Sequence, residues 1–164
     1  MDTTTRDVTD DEGTKGLEAT FHVDAAPEAL LEVVWSPENF IRLFPDVKEV
    51  RVVAGEGNTL DVEYRVDAVI REFRYVLRRT LDRGARTITW HEIGGDLKRV
   101  RGGWTIVSDG AGGSRATYRA FVAAGMFVPT GLLRDAARRK LGEMVARVRS
   151  VGVELCEAGA GPQA

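Results

Sequence analysis

Side chains that could carry acid–base or covalent chemistry are few in this sequence. His91 and Glu92 are adjacent, but neighbouring residues of a strand point to opposite faces, so we do not expect them to share a substrate. His22 and Asp24 fall on the same face of a predicted strand, which favours a surface ion pair. Cys156 has no histidine near it in sequence, and an unreactive thiol is expected. We therefore predict no catalytic residue from these groups.

Ligands for a metal or a phosphate-bearing cofactor are also scarce. The 2 histidines and 1 cysteine are too few for a three-histidine or cysteine–histidine metal site. The glycines at 55 and 57 lie between two predicted strands, so no helix N-terminus is available to bind a pyrophosphate. The sequence therefore predicts no metal and no cofactor.

A set of aromatic residues is more informative. Strand alternation places five amphipathic rings on the inward face of a sheet: Tyr64, Tyr75, Trp90, Trp104 and Tyr118. Plain core packing explains any single ring, but buried Tyr and Trp side chains need hydrogen-bond partners, and several on one concave face favour a binding pocket. We expect Phe127 at the rim of this pocket. Either Arg78 or Arg79 points inward, where it could hold a carboxylate or phenolate.

The elements that position these rings follow from the hydrophobic period. A strand is predicted over Leu17–Asp24, then a helix from Pro27 and a second short helix within Ser36–Pro45. Six strand-like runs separated by turn residues occupy 47–124, and this spacing favours an antiparallel meander. A helical period returns from Pro129 to about Leu155.

Composition limits the organisation and the partners of the chain. Its 164 residues suit one domain, predicted over 17–157, with a disordered acidic tail at 1–16 and a flexible tail at 158–164. A net charge of -2 disfavours general nucleic-acid binding. No apolar run is long enough for a transmembrane segment, and a single cysteine fits a reducing, cytoplasmic setting. The sequence does not indicate an oligomeric state.

The last predicted helix is basic. Solvation and an i,i+4 pair between Glu143 and Arg147 account for most of this charge, while an anionic partner stays open as the less favoured alternative. The basic residues are Arg134, Arg138, Arg139, Lys140, Arg147 and Arg149.

The order and spacing of short motifs from Leu17 to Leu155 resemble those of the SRPBCC or START-like superfamily, and most of all its coenzyme Q-binding and polyketide cyclase/dehydrase branch. The resemblance implies an α+β helix-grip fold, in which a curved antiparallel sheet wraps around a long C-terminal helix and two short helices follow the first strand. The motifs are the residues 23–27 (VDAAP), the residues 37–50 (PENFIRLFPDVKEV), Tyr64, Trp90, Gly103–Trp104, Tyr118 and Pro129.

Three hypotheses about function follow. The first is a carrier that encloses a small hydrophobic or aromatic molecule, such as a lipid, a quinone or a polyketide-like compound, between the sheet and the C-terminal helix. The second is a polyketide aromatase/cyclase or dehydratase that uses the same pocket, with Tyr or Arg assisting proton transfer. The third is a protein-interaction module that uses the outward charges of one strand: Asp61, Glu63, Arg65 and Asp67.

Overall fold

The computed structural model describes residues 3–67, 71–123 and 130–159, and within these residues eight antiparallel strands form one sheet. The strands are β1 (Thr3–Thr9), β2 (Lys15–Val23), β3 (Val47–Glu56), β4 (Thr59–Asp67), β5 (Glu72–Asp82), β6 (Thr87–Gly95), β7 (Arg99–Ser108) and β8 (Ser114–Ala123). Their order in the sheet is β1-β2-β8-β7-β6-β5-β4-β3. From β3 to β8 each strand pairs with the next in sequence, as the closely spaced turns predicted. The pairing of β2 with β8 joins distant parts of the chain.

The helices interrupt and follow the strands as the sequence predicted. Helix α1 (Pro27–Trp35), a 3-10 turn (Pro37–Asn39) and α2 (Phe40–Leu43) lie between β2 and β3. After β8 come α3 (Thr130–Arg147), a π-helical segment (Val148–Gly152) and α4 (Val153–Gly159). Within the described residues, no helix is both long enough and apolar enough to span a membrane.

The hydrophobic core lies between the inner face of the sheet and these helices. Alternate residues of each strand are buried, for example Val62, Tyr64 and Val66 on β4, while their neighbours face solvent. Leu141, Met144 and Val148 supply the buried side of the helical segment that covers the sheet. Burying one face of the sheet against one long helix therefore produces the helix-grip arrangement that the sequence predicted.

Two adjacent glycines of β7 allow the neighbouring strands to approach closely. A Cβ atom on Gly102 would lie 2.1 Å from the Arg119 carbonyl oxygen and 2.8 Å from the Trp90 ring. A Cβ atom on Gly103 would lie 2.6 Å from the Ile88 carbonyl oxygen. Since no side chain fits at these distances, both positions require glycine.

The structure differs from the sequence prediction at the N-terminal end. Residues 1–16 were predicted to be a disordered tail, but Thr3–Thr9 pair with β2, and β2 itself begins at Lys15. Glu18 on β2 explains the pairing, because its carboxylate accepts hydrogen bonds from Arg6 Nε on β1 (2.6 Å) and from Arg119 Nε on β8 (2.5 Å). At the other end α4 runs to Gly159, two residues into the segment predicted as a flexible tail.

Candidate ligand-binding cavity

A cavity of about 1050 Å³ lies between the inner face of the sheet and α3. Each of the eight described strands contributes to its wall, and α2 and α3 close it. It extends to the end of the sheet where β2 and β7 begin and β8 ends, and there the β1–β2 turn contributes Glu12, Gly13 and Thr14. This volume is slightly above the range of about 300–1,000 Å³ that is usual for small-molecule sites.

The structure brings together the five strand aromatics that the sequence singled out. Tyr64 and Tyr75 stack with ring centroids 5.5 Å apart. The ring centroid of Tyr118 lies 4.9 Å from that of Trp104 and 5.6 Å from that of Trp90. All five rings line the cavity. Phe127, predicted at the rim, lies outside the described residues.

Two rings complete the aromatic wall: Phe40, which begins α2, and Phe44, which immediately follows it. Phe40 stacks on Tyr64 with ring centroids 5.8 Å apart, and the ring centroids of Phe44 and Tyr118 are 6.3 Å apart. They connect the two groups of strand rings because Phe40 and Phe44 are in edge contact at 5.8 Å. The sequence prediction did not include this pair among the site residues, although the i,i+4 spacing of two phenylalanines on a short helix was a usable signal.

Arg79 is the arginine that points inward, and Arg78 faces solvent in a two-pronged ion pair with Asp61. The Arg79 guanidinium donates to the carbonyl oxygens of Val34 (3.0 Å) and Trp35 (2.7 Å) at the end of α1. The central carbon of this guanidinium group, Cζ, also lies 4.4 Å from the centre of the Phe40 ring. Arg79 lines the cavity, and none of its contacts within the described residues is a carboxylate.

Three hydroxyl groups of the cavity wall have no partner within the described part of the chain: those of Tyr64, Tyr75 and Tyr118. The indole N–H of Trp104 also finds no acceptor there, but it is buried beneath the wall and is closed to the cavity. Burial raises the pKa of Tyr64 to about 12 against a weaker opposing effect of Arg79, and burial also raises the pKa values of Tyr75 and Tyr118. All three phenols are therefore neutral at physiological pH and can donate a hydrogen bond to a ligand oxygen.

The other reactive residue types lie away from this cavity. His22 forms ion-pair contacts with Asp109 (2.7 Å) and Asp24 (3.6 Å), and His91 is exposed on β6. Burial raises the pKa of the Cys156 thiol to about 11, which keeps it protonated. Within the described ranges, no group of three or more His, Cys, Asp or Glu side chains could hold a metal ion. The cavity therefore offers aromatic surface, neutral phenols and one buried cation.

A curved antiparallel sheet closed over an aromatic cavity by a long helix defines the helix-grip class of protein. The sequence matches the family described as "Polyketide cyclase / dehydrase and lipid transport" over residues 23–149. Since this match spans most of the chain, the protein belongs to that family. A search of curated protein sequences finds no match.

Solved structures with the same fold come from several bacteria. A START superfamily protein from Mycobacterium smegmatis is 15% identical with a TM-score of 0.74, over 85% of this chain and 98% of that one. The Zhui aromatase/cyclase from Streptomyces sp. R1128 is 20% identical with a TM-score of 0.63, over 96% and 94%. A STAR-related lipid transfer protein from Xanthomonas axonopodis is 18% identical with a TM-score of 0.74, over 90% and 92%. These similarities confirm the START-like fold predicted from the sequence.

Proposed function

We propose that this protein binds a small hydrophobic or aromatic molecule in the cavity between its sheet and α3. The proposed binding residues from the strands are Tyr64, Tyr75, Trp90, Trp104 and Tyr118. Phe40 of α2, Phe44 immediately after α2 and Phe127 are proposed with them. The reducing cytoplasm stays the predicted location, on the basis of the single cysteine.

One observation carries this proposal: the cavity wall combines aromatic surface with hydrogen-bonding groups that have no partner within the described residues. The tyrosine hydroxyls are such groups, and a neutral phenol both donates and accepts hydrogen bonds. A ligand that brings oxygen atoms to these hydroxyls therefore gains hydrogen bonds as well as apolar contact. The rings between these groups supply stacking surface for an apolar or aromatic body. An acyl chain, a quinone or a polyketide-like compound satisfies this description.

Binding is tested by filling the cavity. Ala120 lines it on β8, so Ala120→Phe places a ring inside the cavity without removing any existing side-chain contact of the wall. Ala111 is exposed in the β7–β8 turn, and Ala111→Phe makes the same change outside the cavity. The probe is phenylnaphthylamine, an uncharged dye that fluoresces in apolar surroundings, and mass spectrometry of an organic extract of each purified protein identifies any compound carried from the cell.

We expect the wild type and Ala111→Phe to bind the dye equally and to release the same extracted compound. Ala120→Phe should bind the dye at least about tenfold more weakly and release less of the compound, because the added ring occupies part of the cavity. Circular dichroism verifies that both variants are folded. Equal dye binding by all three proteins would place the dye elsewhere and contradict the proposal.

A second candidate is catalysis of aromatase/cyclase type in the same cavity. The observation that favours it is the position of Arg79, whose charge lies close enough to Tyr64 and Tyr118 to oppose the rise in their pKa values. A guanidinium beside neutral phenols can stabilise an enolate oxygen that develops during ring closure. Neither histidine lines the cavity, and the tyrosine hydroxyls are the groups that we propose for proton transfer.

Tyr64→Phe separates the carrier from the enzyme, since it removes the hydroxyl and keeps the ring. With a poly-β-keto thioester as substrate, an enzyme should lose cyclised product about 100-fold or more while dye affinity is kept. A carrier makes no cyclised product above the rate in buffer. That outcome would exclude catalysis on this substrate and leave the binding proposal intact.

The outer face of the sheet gives little support to the third hypothesis, an interaction module. Asp61 pairs with Arg78, Glu63 with Arg51 and Arg74, and Arg65 with Glu49 and Glu72. Because these charges neutralise one another on neighbouring strands, they act as a solvated surface rather than as a field that attracts a partner.

A further inference from the structure

The charged side chains at the open end of the cavity are unevenly paired. Three acidic residues line the cavity, and each forms an ion pair within the described residues. Asp7 pairs with Arg138 at 2.6 Å, and Glu12 pairs with Arg99 and with Arg101. Asp46 lies 3.7 Å from the Lys140 ammonium. The negative charges of this rim are therefore already compensated.

Besides the buried Arg79, three rim cations that line the cavity have no acidic partner within the described ranges: Lys15, Lys98 and Arg134. Lys15 begins β2, Lys98 immediately precedes β7, and Arg134 lies in the first turns of α3. Lys15 and Lys98 are exposed and Arg134 is half-buried. Strand pairing places the start of β2, the start of β7 and the end of β8 at the same end of the sheet.

The geometry points to a ligand with two parts: an apolar or aromatic body inside the cavity and an anionic head group, phosphate or carboxylate, held at the rim by Lys15, Lys98 and Arg134. This inference rests on the proposed function and extends it by naming the polarity of the ligand. The rim favours an anion because all of its uncompensated charges are positive, although the whole chain has a net charge of -2. Entry with the body first and the head last leaves the head hydrated, so the charge never enters the apolar interior.

A pair of dyes with the same rings tests the inference. Phenylnaphthylamine is uncharged, and anilinonaphthalene sulfonate carries one negative charge on the same ring system. The wild type is compared with the triple variant Lys15→Gln, Lys98→Gln, Arg134→Gln. The control is Lys48→Gln, which removes an exposed lysine of β3 that does not line the cavity.

We expect the triple variant to bind the anionic dye about tenfold more weakly than the wild type, because each exposed charge contributes a factor of about two to five. Its affinity for the neutral dye should not change, and Lys48→Gln should match the wild type with both dyes. Raising the salt concentration should weaken the binding of the anionic dye and leave the binding of the neutral dye unchanged. If the wild type binds both dyes and the triple variant binds both with the same affinities, the head-group inference fails and the proposed function stands. If the wild type does not bind the neutral dye, the proposed function itself fails.

The source of the anion is distinguished by competition against the anionic dye. Dodecyl phosphate should displace it at a concentration at least about 100-fold below that of dodecanol or inorganic phosphate, since only dodecyl phosphate has both parts. Inorganic phosphate as effective as dodecyl phosphate would show a site for the free anion and overturn the two-part ligand. Dodecanol as effective as dodecyl phosphate would show that the head group contributes nothing, and would overturn it as well.

Discussion

The guanidinium of Arg79 lies 5.0 Å from the centre of the Trp35 ring and donates a hydrogen bond of 2.7 Å to the Trp35 carbonyl oxygen. A second bond, to the Val34 carbonyl oxygen, means that one side chain of β5 satisfies two of the unpaired acceptors at the end of α1. Arg79 therefore fixes the position of α1 relative to the sheet while its charge borders the cavity.

Arg79→Lys should destabilise the protein by about 2–3 kcal/mol, because an ammonium group cannot donate to both carbonyl oxygens while stacking on an aromatic ring. Urea unfolding measures the loss. The control is Arg78→Lys, one residue away on the solvent side, which should change stability by less than about 1 kcal/mol. Equal losses in the two variants would show that the fork geometry of Arg79 is unimportant.

Gly102→Ala should destabilise the fold by about 3 kcal/mol or more, because the added methyl group overlaps the Arg119 carbonyl oxygen and the Trp90 ring. Thermal unfolding and near-ultraviolet circular dichroism measure the stability and the tryptophan environment. Gly94→Ala is the control, since no atom lies within 4 Å of the Cβ position at Gly94. A Gly102→Ala protein as stable as the control would mean that β7 tolerates a side chain at this close approach.

The 3 tyrosines should titrate late in the folded protein, because all of them have raised pKa values. Unfolded tyrosine ionises near 10.0, whereas the pKa of Tyr64 is raised to about 12 in the folded state. The folded protein holds the proton more tightly, so stability falls as the pH rises above 10.0. Ultraviolet absorbance should show little tyrosinate at about pH 10.5 in buffer and about three-quarters ionisation in concentrated urea. Matching titrations in the two solvents would contradict the burial of the phenols.

Glu18→Gln should loosen β1 without unfolding the sheet. The Glu18 side chain is 8% exposed, and the loss of its charge weakens the hydrogen bonds from Arg6 and Arg119 on both neighbouring strands. Hydrogen exchange at residues 3–9 should speed up about tenfold, while β5 and β6 keep their protection. Glu49→Gln, which alters an exposed pair with Arg65, should leave exchange at β1 unchanged.

The Glu18 carboxylate makes the pairing of β1 with β2 depend on pH. The hydrogen bond from Arg6, followed by that from Arg119, lowers the pKa of Glu18 against the effect of its burial. Its stabilisation is therefore present at neutral pH and is lost as the pH falls below the usual carboxyl range. Protection of β1 that persists after Glu18 is protonated would contradict this role.

The sequence predicted the inward face of the strands well, because a period of two is a local property that each run of residues carries by itself. Continued along the strand from Tyr75, the same alternation also favours Arg79 over Arg78 as the inward residue. The choice stayed open because a buried arginine needs hydrogen-bond acceptors, and the carbonyl groups that accept from Arg79 belong to α1, far away in sequence.

Two features escaped sequence analysis because they depend on distant contacts. The Thr-rich, acidic composition of residues 1–16 is typical of a tail, whereas backbone pairing with β2, together with the ion pair of Arg6 and Glu18, makes Thr3–Thr9 a strand. Phe40 and Phe44 also have the local signature of an ordinary amphipathic helix. Their place in the cavity wall follows from contacts with Tyr64 on β4 and Tyr118 on β8, which no local pattern encodes.

The position of α3 in the chain has a consequence during synthesis. All eight strands precede α3, and β2 pairs with β8, so the ribosome releases an open, strongly apolar concave sheet before the helix that covers it. During that interval the aromatic wall is accessible to any apolar molecule or chaperone nearby.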